Sequence, residues 1–363
     1  MEGKDGARVS LVLNASLAPT LKAELLLCPV NTDFTQWFLP AFYLVVSLMG
    51  LLGNGLGLWN LCLTSRKSGW NALGVLVCNL GVADLLYVIT LPFLVSYYLQ
   101  GRVWVFGPGW CRLTRLLFHL NLYASIGFLT CVSVHRYLGI VHPLRMLGRC
   151  QTLSPSISLS IMVWVWVIIQ LSPDFSFSKM DQAGVRCHDT THHENLDTYM
   201  PYILTITVTG FVVPFLIITG CYCRVVMVLW RNQNVDPVLK RRSITLVVLV
   251  LVLFSVCFLP YHIFRNLNLQ SRRWQLQGSC SQTLRNIYVS YQVTRGLASL
   301  NSALNPLLYL MASEDLVVRL KTFGQTIGRA LRFLWPSQAQ QHLGQKKSSI
   351  ILEEECEEVS DDL

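Results

Sequence analysis

Five basic side chains lie in long apolar segments of this sequence, where charged groups are unexpected. Arg115 and His119 are four residues apart and His262 and Arg265 are three apart, so each pair shares one helix face. Arg295 lies in a third such segment. Ionisable side chains inside a membrane are costly and by default mark a functional site. Because guanidinium groups bind carboxylate and phosphate oxygens through paired hydrogen bonds, these residues predict a site for a small polyanion.

The counter-charge of these arginines has two possible sources, an anionic ligand or acidic residues of the protein. The outer halves of their segments contain no carboxylate, and an amine site would need an acid in the third segment, where none is present. The alternative to an anionic ligand is pairing with acids of the loop between the fourth and fifth segments. These acids are Asp174, Asp181, Asp189, Glu194 and Asp197, with Asp189 as the specific alternative partner of Arg265.

Aromatic side chains at a similar depth supply a second kind of contact. They are Tyr97, Tyr98, Phe118, Tyr123 and Tyr291. Such rings can hold a planar base by stacking, although each one taken singly is explained equally by packing. Tyr291 lies one turn from Arg295 on the same helix face, which favours a shared role for those two residues.

A second polar set lies in the opposite halves of the segments. It consists of Asn54, Asp84, Ser125, Asn301 and Asn305. A lone buried carboxylate must be protonated or paired, and oxygen atoms around it would form a site for a small cation. We predict that Asp84, Ser125, Asn301 and Asn305 hold sodium. A hydrogen-bonded network that locks the helices together is the alternative.

Seven long apolar stretches must position these residues. Of the 363 residues, 52% are hydrophobic and only 13% are charged, against about 25% in a soluble domain, which excludes an ordinary soluble enzyme. Each stretch reaches the roughly 20 helical residues that cross a bilayer. The sequence therefore predicts an all-α, seven-transmembrane helix bundle with spans at 38–63, 72–99, 113–141, 153–173, 199–229, 243–269 and 286–310.

Loop charge predicts the orientation of this bundle. With the N-terminus outside, eight basic residues lie in cytoplasmic loops, and the extracellular loops also contain basic residues, among them Arg102, Lys179, Arg186, Arg272, Arg273 and Arg285. The inside excess is small, and the basic content outside is consistent with attraction of an anionic ligand. We expect a multi-pass plasma-membrane protein with an extracellular N-terminus, a glycosylation sequon at Asn14 and a first span that acts as targeting signal.

The cysteines add a second indication of which loops lie outside. Six of the twelve fall inside apolar spans, where packing explains them. Four lie in different extracellular segments: Cys28, Cys111, Cys187 and Cys280. Four cysteines permit three pairings, and the residues alone do not choose between them.

The chain ends divide the molecule further. Residues 1–34 form the extracellular N-terminus and residues 35–311 the membrane domain. Residues 312–333 alternate apolar and basic positions in a helical pattern, which predicts a short amphipathic helix on the anionic inner leaflet. Residues 334–363 form an acidic cytoplasmic tail, which we expect to be disordered.

Short motifs, each in the right span and in the right order, carry a resemblance to a known family. They are Gly53-Asn54, Val82-Ala83-Asp84-Leu85, His135-Arg136-Tyr137, Trp164, Pro214 with Tyr222, Cys257-Phe258-Leu259-Pro260 and Asn305-Pro306-Leu307-Leu308-Tyr309. From residue 35 to 325 the chain resembles a rhodopsin-like G-protein-coupled receptor. The resemblance implies coupling to a heterotrimeric G protein, with arrestin as a further partner, and an activation switch formed by Arg136, Tyr222, Phe258, Pro260 and Tyr309.

Within that class the chain resembles the purinoceptors, which are receptors for extracellular nucleotides. The similarity rests on residues 128–143, 187–191, 260–265 and 291–295. It implies that Arg115, His262, Arg265 and Arg295 hold the phosphate chain, and the full candidate ligand set adds Phe118, His119, Tyr291 and Gln292. It also implies disulfides between Cys111 and Cys187 and between Cys28 and Cys280. Signalling through Gq, phospholipase C and calcium is the expectation for this subgroup.

Several positions depart from the usual pattern of that family. His135 replaces an acid before Arg136, His119 stands where Tyr is common, Gln292 where Lys is common and Gly296 where Pro is common. The signals for ATP and for uridine nucleotides are mixed, so base preference and phosphate number stay open. A receptor for dicarboxylates such as succinate or 2-oxoglutarate is the chief alternative, and an organic-anion transporter a more distant one. No catalytic constellation, cofactor or nucleic-acid polymer is expected.

Overall fold

The fold is known from a computed structural model, which describes residues 33–143, 153–181, 184–191, 195–231 and 237–308. The side chains of Asp33, Val238, Leu239 and Arg242 are not described within these ranges. Asn14, Cys28, Tyr309, the amphipathic helix at 312–333 and the acidic tail lie outside the described residues. The predictions for them therefore stay predictions.

The described residues form seven helical spans, which confirms the predicted all-α fold. Six are long and apolar enough to cross a membrane. The seventh is more polar because it carries Arg295 and several Asn, Ser and Gln side chains. In chain order the spans are Asp33–Ser68, Ala72–Val88 with Leu91–Leu99, Gly107–Val141, Leu153–Leu171 with a 3-10 turn at Ser172–Ser176, Leu196–Arg231, Pro237–Leu276, and Gln282–Leu304.

Most of the helices extend beyond the apolar stretches that predict them. The first begins five residues before the predicted Phe38 and the third begins six before Leu113, because hydropathy detects the part of a helix in lipid and not its polar ends. Proline and glycine set the start of the third helix. Gly107 has a left-handed φ of 79°, and Pro108 occupies the first turn, where its missing N–H is tolerated.

Two spans contain a single π-helical turn that the sequence analysis did not predict. In the fifth span the turn covers Val208–Val212, and in the sixth it covers Phe254–Phe258, directly before Pro260. A π turn rotates the following residues about the helix axis and is frequent at functional sites. In the sixth span it therefore affects which way His262 and Arg265 point.

The third helix lies at the centre of the bundle and contacts the second, fourth and fifth spans. The fourth helix instead turns large apolar side chains outwards: Ile157, Ile161, Met162, Val165, Ile168 and Ile169 are exposed. Exposed apolar faces of this size are unfavourable in water and match a hydrocarbon environment. This arrangement is expected for a multi-pass membrane protein.

A disulfide joins Cys111, at the start of the third helix, to Cys187 in the loop after the fourth span. The pairing implied by the resemblance is thereby confirmed. The bonded loop doubles back on itself, with an isolated antiparallel bridge between Met180 and Cys187 and a 2.6 Å hydrogen bond from the His188 amide to the Lys179 carbonyl. The disulfide and the bridge place Asp189 above the centre of the bundle, at the end that we call the outer end. Cys280 is disulfide-bonded as well, whereas the predicted partner Cys28 is outside the described residues.

Candidate ligand cavity

A buried ion cluster occupies the outer end of the bundle. Arg115 Nη1 lies 2.7 Å from Asp189 Oδ1, and an Arg295 guanidinium nitrogen contacts Asp189 Oδ2. Arg115 also donates to the Cys187 carbonyl at 3.0 Å. The expectation that the arginines have no carboxylate partner is therefore wrong for Arg115 and Arg295. The loop acid reaches them because the disulfide holds its segment over the third helix.

The charges of this cluster keep the Asp189 carboxyl ionised. Burial by itself would raise the pKa of Asp189, but the guanidinium groups of Arg115 and Arg295 outweigh burial and hold that pKa well below its usual range. The carboxylate therefore remains a charged partner throughout the physiological pH range. An incoming anion must compete with it for the same guanidinium groups.

Arg265 differs from the other two arginines. Its Nη1 donates to the Tyr123 hydroxyl at 2.9 Å, and its guanidinium lies 5.8 Å from the centre of the Tyr261 ring. The side chain is 1% exposed, and no carboxylate of the described residues lies within ion-pair distance of it. The alternative that Asp189 is the partner of Arg265 is thus wrong. A buried guanidinium with only neutral partners is a strong candidate for an anion site.

His262 sits beside Arg265, and the polar atoms of its ring lack partners. Both ring nitrogens of His262, Nε of Arg265 and the Tyr261 hydroxyl are buried and make no hydrogen bond to described residues. Buried polar atoms in native structures are nearly always bonded to protein, water or ligand. The group therefore marks the part of the cavity best suited to a polar ligand.

A separate ion pair near the same end contributes no net charge to the cavity. Lys179 Nζ lies 2.7 Å from Asp174 Oδ1 and also donates to the Thr190 carbonyl at 2.7 Å. His119 Nδ1 is 3.8 Å from the other Asp174 oxygen. From the sequence, Asp174 is predicted only as a potential partner of an arginine. In the structure it forms an ion pair with Lys179 instead.

Stacked rings line the cavity beside the arginines. Tyr261 stacks with Tyr291 at 6.2 Å and meets Phe118 edge-on at 5.6 Å, while Phe211 stacks on His262 at 4.4 Å. The predicted ligand residues of the third, sixth and seventh spans are therefore brought together. Gln292 joins them through a 3.4 Å hydrogen bond to Asp189.

The net charge of the cavity follows from these contacts. Arg115 and Arg295 share the carboxylate of Asp189, while Arg265 has only neutral partners, so these three guanidinium groups carry two positive charges more than that carboxylate balances. A separate cavity of about 560 Å³ opens towards lipid between the third, fourth and fifth spans, next to Gly127, Val163 and Pro214. None of the predicted ligand residues lines it, so the chemistry described above belongs to the outer cavity.

The inner polar residues are joined in groups by hydrogen bonds between the spans. Asp84 Oδ1 accepts a hydrogen bond from Asn121 at 2.7 Å and Oδ2 accepts one from Asn305 at 2.9 Å. Asn301 donates to Ser125 at 3.0 Å and not to the carboxylate. The sequence analysis missed Asn121, although it lies one helical turn from Ser125 on the same face. Sodium binding at Asp84 stays a prediction, and bound sodium would replace or share the two amide contacts.

The residues assigned to the activation switch are only partly described. The Tyr222 hydroxyl bonds to Ser133 of the third helix at 2.7 Å, a contact that the sequence analysis did not identify. Phe258 is fully buried at the end of the π turn, and Pro260 follows it. Arg136 lies in the last two turns of the third helix. These positions agree with the expected order from cavity to inner end, and their switching role stays a prediction.

Comparison with known proteins finds relatives that all belong to one receptor family. Residues 53–309 match the family described as 7 transmembrane receptor (rhodopsin family). The chain is 38% identical to purinoceptor 1 of Homo sapiens over 337 residues, which is 91% of this chain and 86% of the relative. It is 41% identical to purinoceptor 1 of Gallus gallus over 309 residues, covering 83% and 82%. It is also 38% identical to purinoceptor 4 of Xenopus laevis over 295 residues, covering 79% of this chain and 54% of that protein.

Proposed function

Because the chain belongs to the rhodopsin family of seven-transmembrane receptors, and within it to the purinoceptors, we propose that it is a receptor activated by an extracellular nucleotide. It is a receptor and not an enzyme. The observation that carries the proposal is the group of three buried guanidinium groups at the outer end, of which two share one carboxylate and the third, that of Arg265, has only neutral partners. The outer end, with its disulfide-bonded loop and the N-terminus, faces the extracellular side in this proposal.

The phosphate chain is the part of the ligand that the arginines recognise. Arg265 is buried with only hydroxyl and ring partners, so it offers the strongest unmet attraction for an anion. Arg115 and Arg295 already share Asp189. A polyphosphate offers them more oxygen atoms and more charge than one carboxylate, so it competes with Asp189 for both guanidinium groups.

The base of the nucleotide packs against the stacked rings of the same cavity. Tyr261 and Tyr291 provide parallel rings, with Phe118 edge-on to Tyr261. The unpartnered nitrogens of His262 lie one residue beyond Tyr261 on the sixth span. The ligand therefore contacts the helix that carries the π turn and Pro260.

Signalling follows from a ligand that binds one arrangement of the sixth span more tightly than the other. Displacement of this span from Tyr222 and Arg136 opens the inner end to a heterotrimeric G protein, for which we propose Gq, with phospholipase C and calcium downstream. Arrestin binds the same opened end. Membrane lipid surrounds the spans.

A calcium-mobilisation screen tests the proposal directly. Cells expressing the receptor and untransfected cells are compared with ATP, ADP, UTP and UDP, and with succinate and 2-oxoglutarate. We expect a nucleotide response only in expressing cells. A response to dicarboxylates alone contradicts the nucleotide assignment, and uptake of labelled anion without a calcium response would indicate transport.

A further inference from the structure

One basic residue of the outer loops stands apart from the cluster around Asp189. Arg102 follows the second span, and its Nη2 donates to the hydroxyls of Thr35 at 2.9 Å and Tyr288 at 2.6 Å. Its guanidinium lies 6.0 Å from the centre of the Tyr98 ring and 5.9 Å from that of Tyr288. No carboxylate of the described residues lies within ion-pair distance of it. Its buried Nε also has no hydrogen-bond partner among those residues.

The backbone at Arg102 is strained for a residue with a side chain. Arg102 has φ of 69°, next to Gly101 with φ of 66°, and in the described part of the chain it is the one non-glycine residue at positive φ. The left-handed conformation is unfavourable for an L-residue, because the Cβ atom approaches the carbonyl oxygen too closely. Such strain persists where the surrounding structure holds it, which is common at ligand-binding sites.

Arg102 is connected to the phosphate-binding arginines through Tyr98. The Tyr98 hydroxyl contacts an Arg295 guanidinium nitrogen, while its ring lies beside Arg102. The charge of Arg102 also adds, after burial and the larger effects of Arg115 and Arg295, to the factors that set the low pKa of Asp189. Both guanidinium groups therefore lie within about 6 Å of the centre of the same tyrosine ring and act on the same carboxylate.

We propose that Arg102, together with Tyr98 and Tyr288, forms a second anion subsite that holds the terminal phosphate of a nucleoside triphosphate. The inference rests on the proposed nucleotide function and adds to it a determinant of phosphate number. Arg102 adds one positive charge to those of Arg115, Arg265 and Arg295. A triphosphate carries one more negative charge than a diphosphate, and the added guanidinium matches that charge.

The competing explanation is that Arg102 is a structural clasp. Its hydrogen bonds join the first span at Thr35 to the seventh at Tyr288. A clasp needs donors but no charge, so a glutamine that retains an amide donor should preserve most of its function. A phosphate subsite needs the positive charge, so glutamine should fail there and lysine should restore part of the effect.

The test compares Arg102→Gln, Arg102→Lys and the control Arg285→Gln in full-length receptor. Arg285 is a partly exposed arginine near Tyr288 that bonds only to Gln282 among the described residues. Surface expression is measured with an epitope tag, and concentration–response curves are recorded for ATP, ADP, UTP and UDP. We expect Arg102→Gln to raise the half-maximal triphosphate concentration about 10-fold and to leave the diphosphate value within about 2-fold.

Each outcome separates the inference from the proposed function. A parent receptor that answers to no nucleotide overturns the proposed function. If the parent responds but Arg102→Gln shifts the half-maximal triphosphate and diphosphate concentrations equally, or shifts neither, the inference alone is overturned. A parent receptor that does not respond to triphosphates also overturns the inference alone. If only triphosphates activate the parent, Arg102→Lys must recover part of the potency lost in Arg102→Gln, and failure to recover any of it overturns the inference.

Discussion

Arg295 contacts three other side chains at the outer end. Its guanidinium contacts Asp189 and Tyr98, and its Nε donates to the Tyr43 hydroxyl at 3.1 Å. These bonds hold the fork in one orientation. A preorganised fork loses little freedom when it binds a phosphate.

We predict that Arg295→Ala raises the half-maximal nucleotide concentration roughly 10- to 150-fold, because a hydrogen bond to a charged group contributes about 1.5 to 3 kcal/mol. Arg295→Lys should recover part of the loss, since lysine keeps the charge without the fork. Calcium responses at matched surface expression measure both. Arg285→Ala, in the same helix, is the control. Unchanged potency of Arg295→Ala would show that the arginine only anchors the loop.

Asp189 has two opposing effects. It forms ion pairs with two buried guanidinium groups in the absence of ligand and offsets one of their two positive charges, and it competes with an anion for them. Removing one member of a buried ion pair is destabilising by about 3 to 5 kcal/mol, because the remaining charge stays buried without a partner.

Asp189→Asn should therefore lower the thermal unfolding midpoint of the detergent-solubilised receptor, and nucleotide should raise the midpoint more in the variant than in the parent. The larger rise is expected because phosphate supplies the missing counter-charge. Asp181→Asn is the control, since Asp181 lies in the same loop and its carboxylate accepts backbone N–H bonds from Val185 and Arg186. An unchanged midpoint in Asp189→Asn would be inconsistent with this ion cluster.

At the scale of elements, the π turn of the fifth span brings its backbone against the third helix. A Cβ placed on Gly210 would lie 2.7 Å from Tyr123 Cε1 and 2.8 Å from Cδ1. Tyr123 is the residue that holds Arg265 through its hydroxyl. The absence of a side chain at this position therefore allows the ring of Tyr123 to occupy the place from which its hydroxyl holds Arg265.

Gly210→Ala should destabilise the receptor by about 1 to 3 kcal/mol, because overpacking forces ring or backbone to move. The variant receptor that reaches the surface should also show weaker nucleotide potency, since Tyr123 shifts with Arg265. Gly220→Ala in the same span is a matched control, because its Cβ would meet no atom within 4 Å. Equal midpoints and potencies for both substitutions would exclude the proposed close contact.

At the scale of the whole molecule, the inner network joins four spans. Asn54 of the first span donates to the Ser302 carbonyl at 2.8 Å, and Asp84 of the second binds Asn121 of the third and Asn305 after the seventh. The network lies between the outer cavity and the expected G-protein end. A cation bound in it would therefore affect the equilibrium between whole-bundle states.

Sodium that binds only the resting state must lower agonist affinity, so we predict that Asp84→Asn abolishes the sodium dependence of nucleotide binding. Competition binding on membranes in sodium chloride and in N-methylglucamine chloride at equal ionic strength measures the effect. Asn60→Ala, on the first span and outside the contacts of Asp84 described above, serves as the comparison. A sodium effect of equal size in Asp84→Asn and the parent would refute the site.

The number of spans and the basic residues at the outer end can be identified from local sequence patterns. Hydropathy is a local property, and in a membrane every backbone polar group must be bonded within helices, so seven apolar stretches imply seven spans. The three arginines were identifiable for the same reason, because a charge in an apolar stretch stands out without any structure. The Cys111–Cys187 bond followed only from the family resemblance, since four cysteines alone permit three pairings.

The pairing between acids and arginines cannot be predicted from the sequence, because it depends on the tertiary structure. The loop holds five acids that look equivalent in sequence, and Asp189 lies far along the chain from both Arg115 and Arg295. The disulfide and the short antiparallel bridge bring Asp189 to them and leave Asp174 to Lys179. The π turns likewise depend on packing, such as that of Gly210 against Tyr123. Pairing between distant residues depends on how the helices and loops pack, and local sequence patterns carry no information about it.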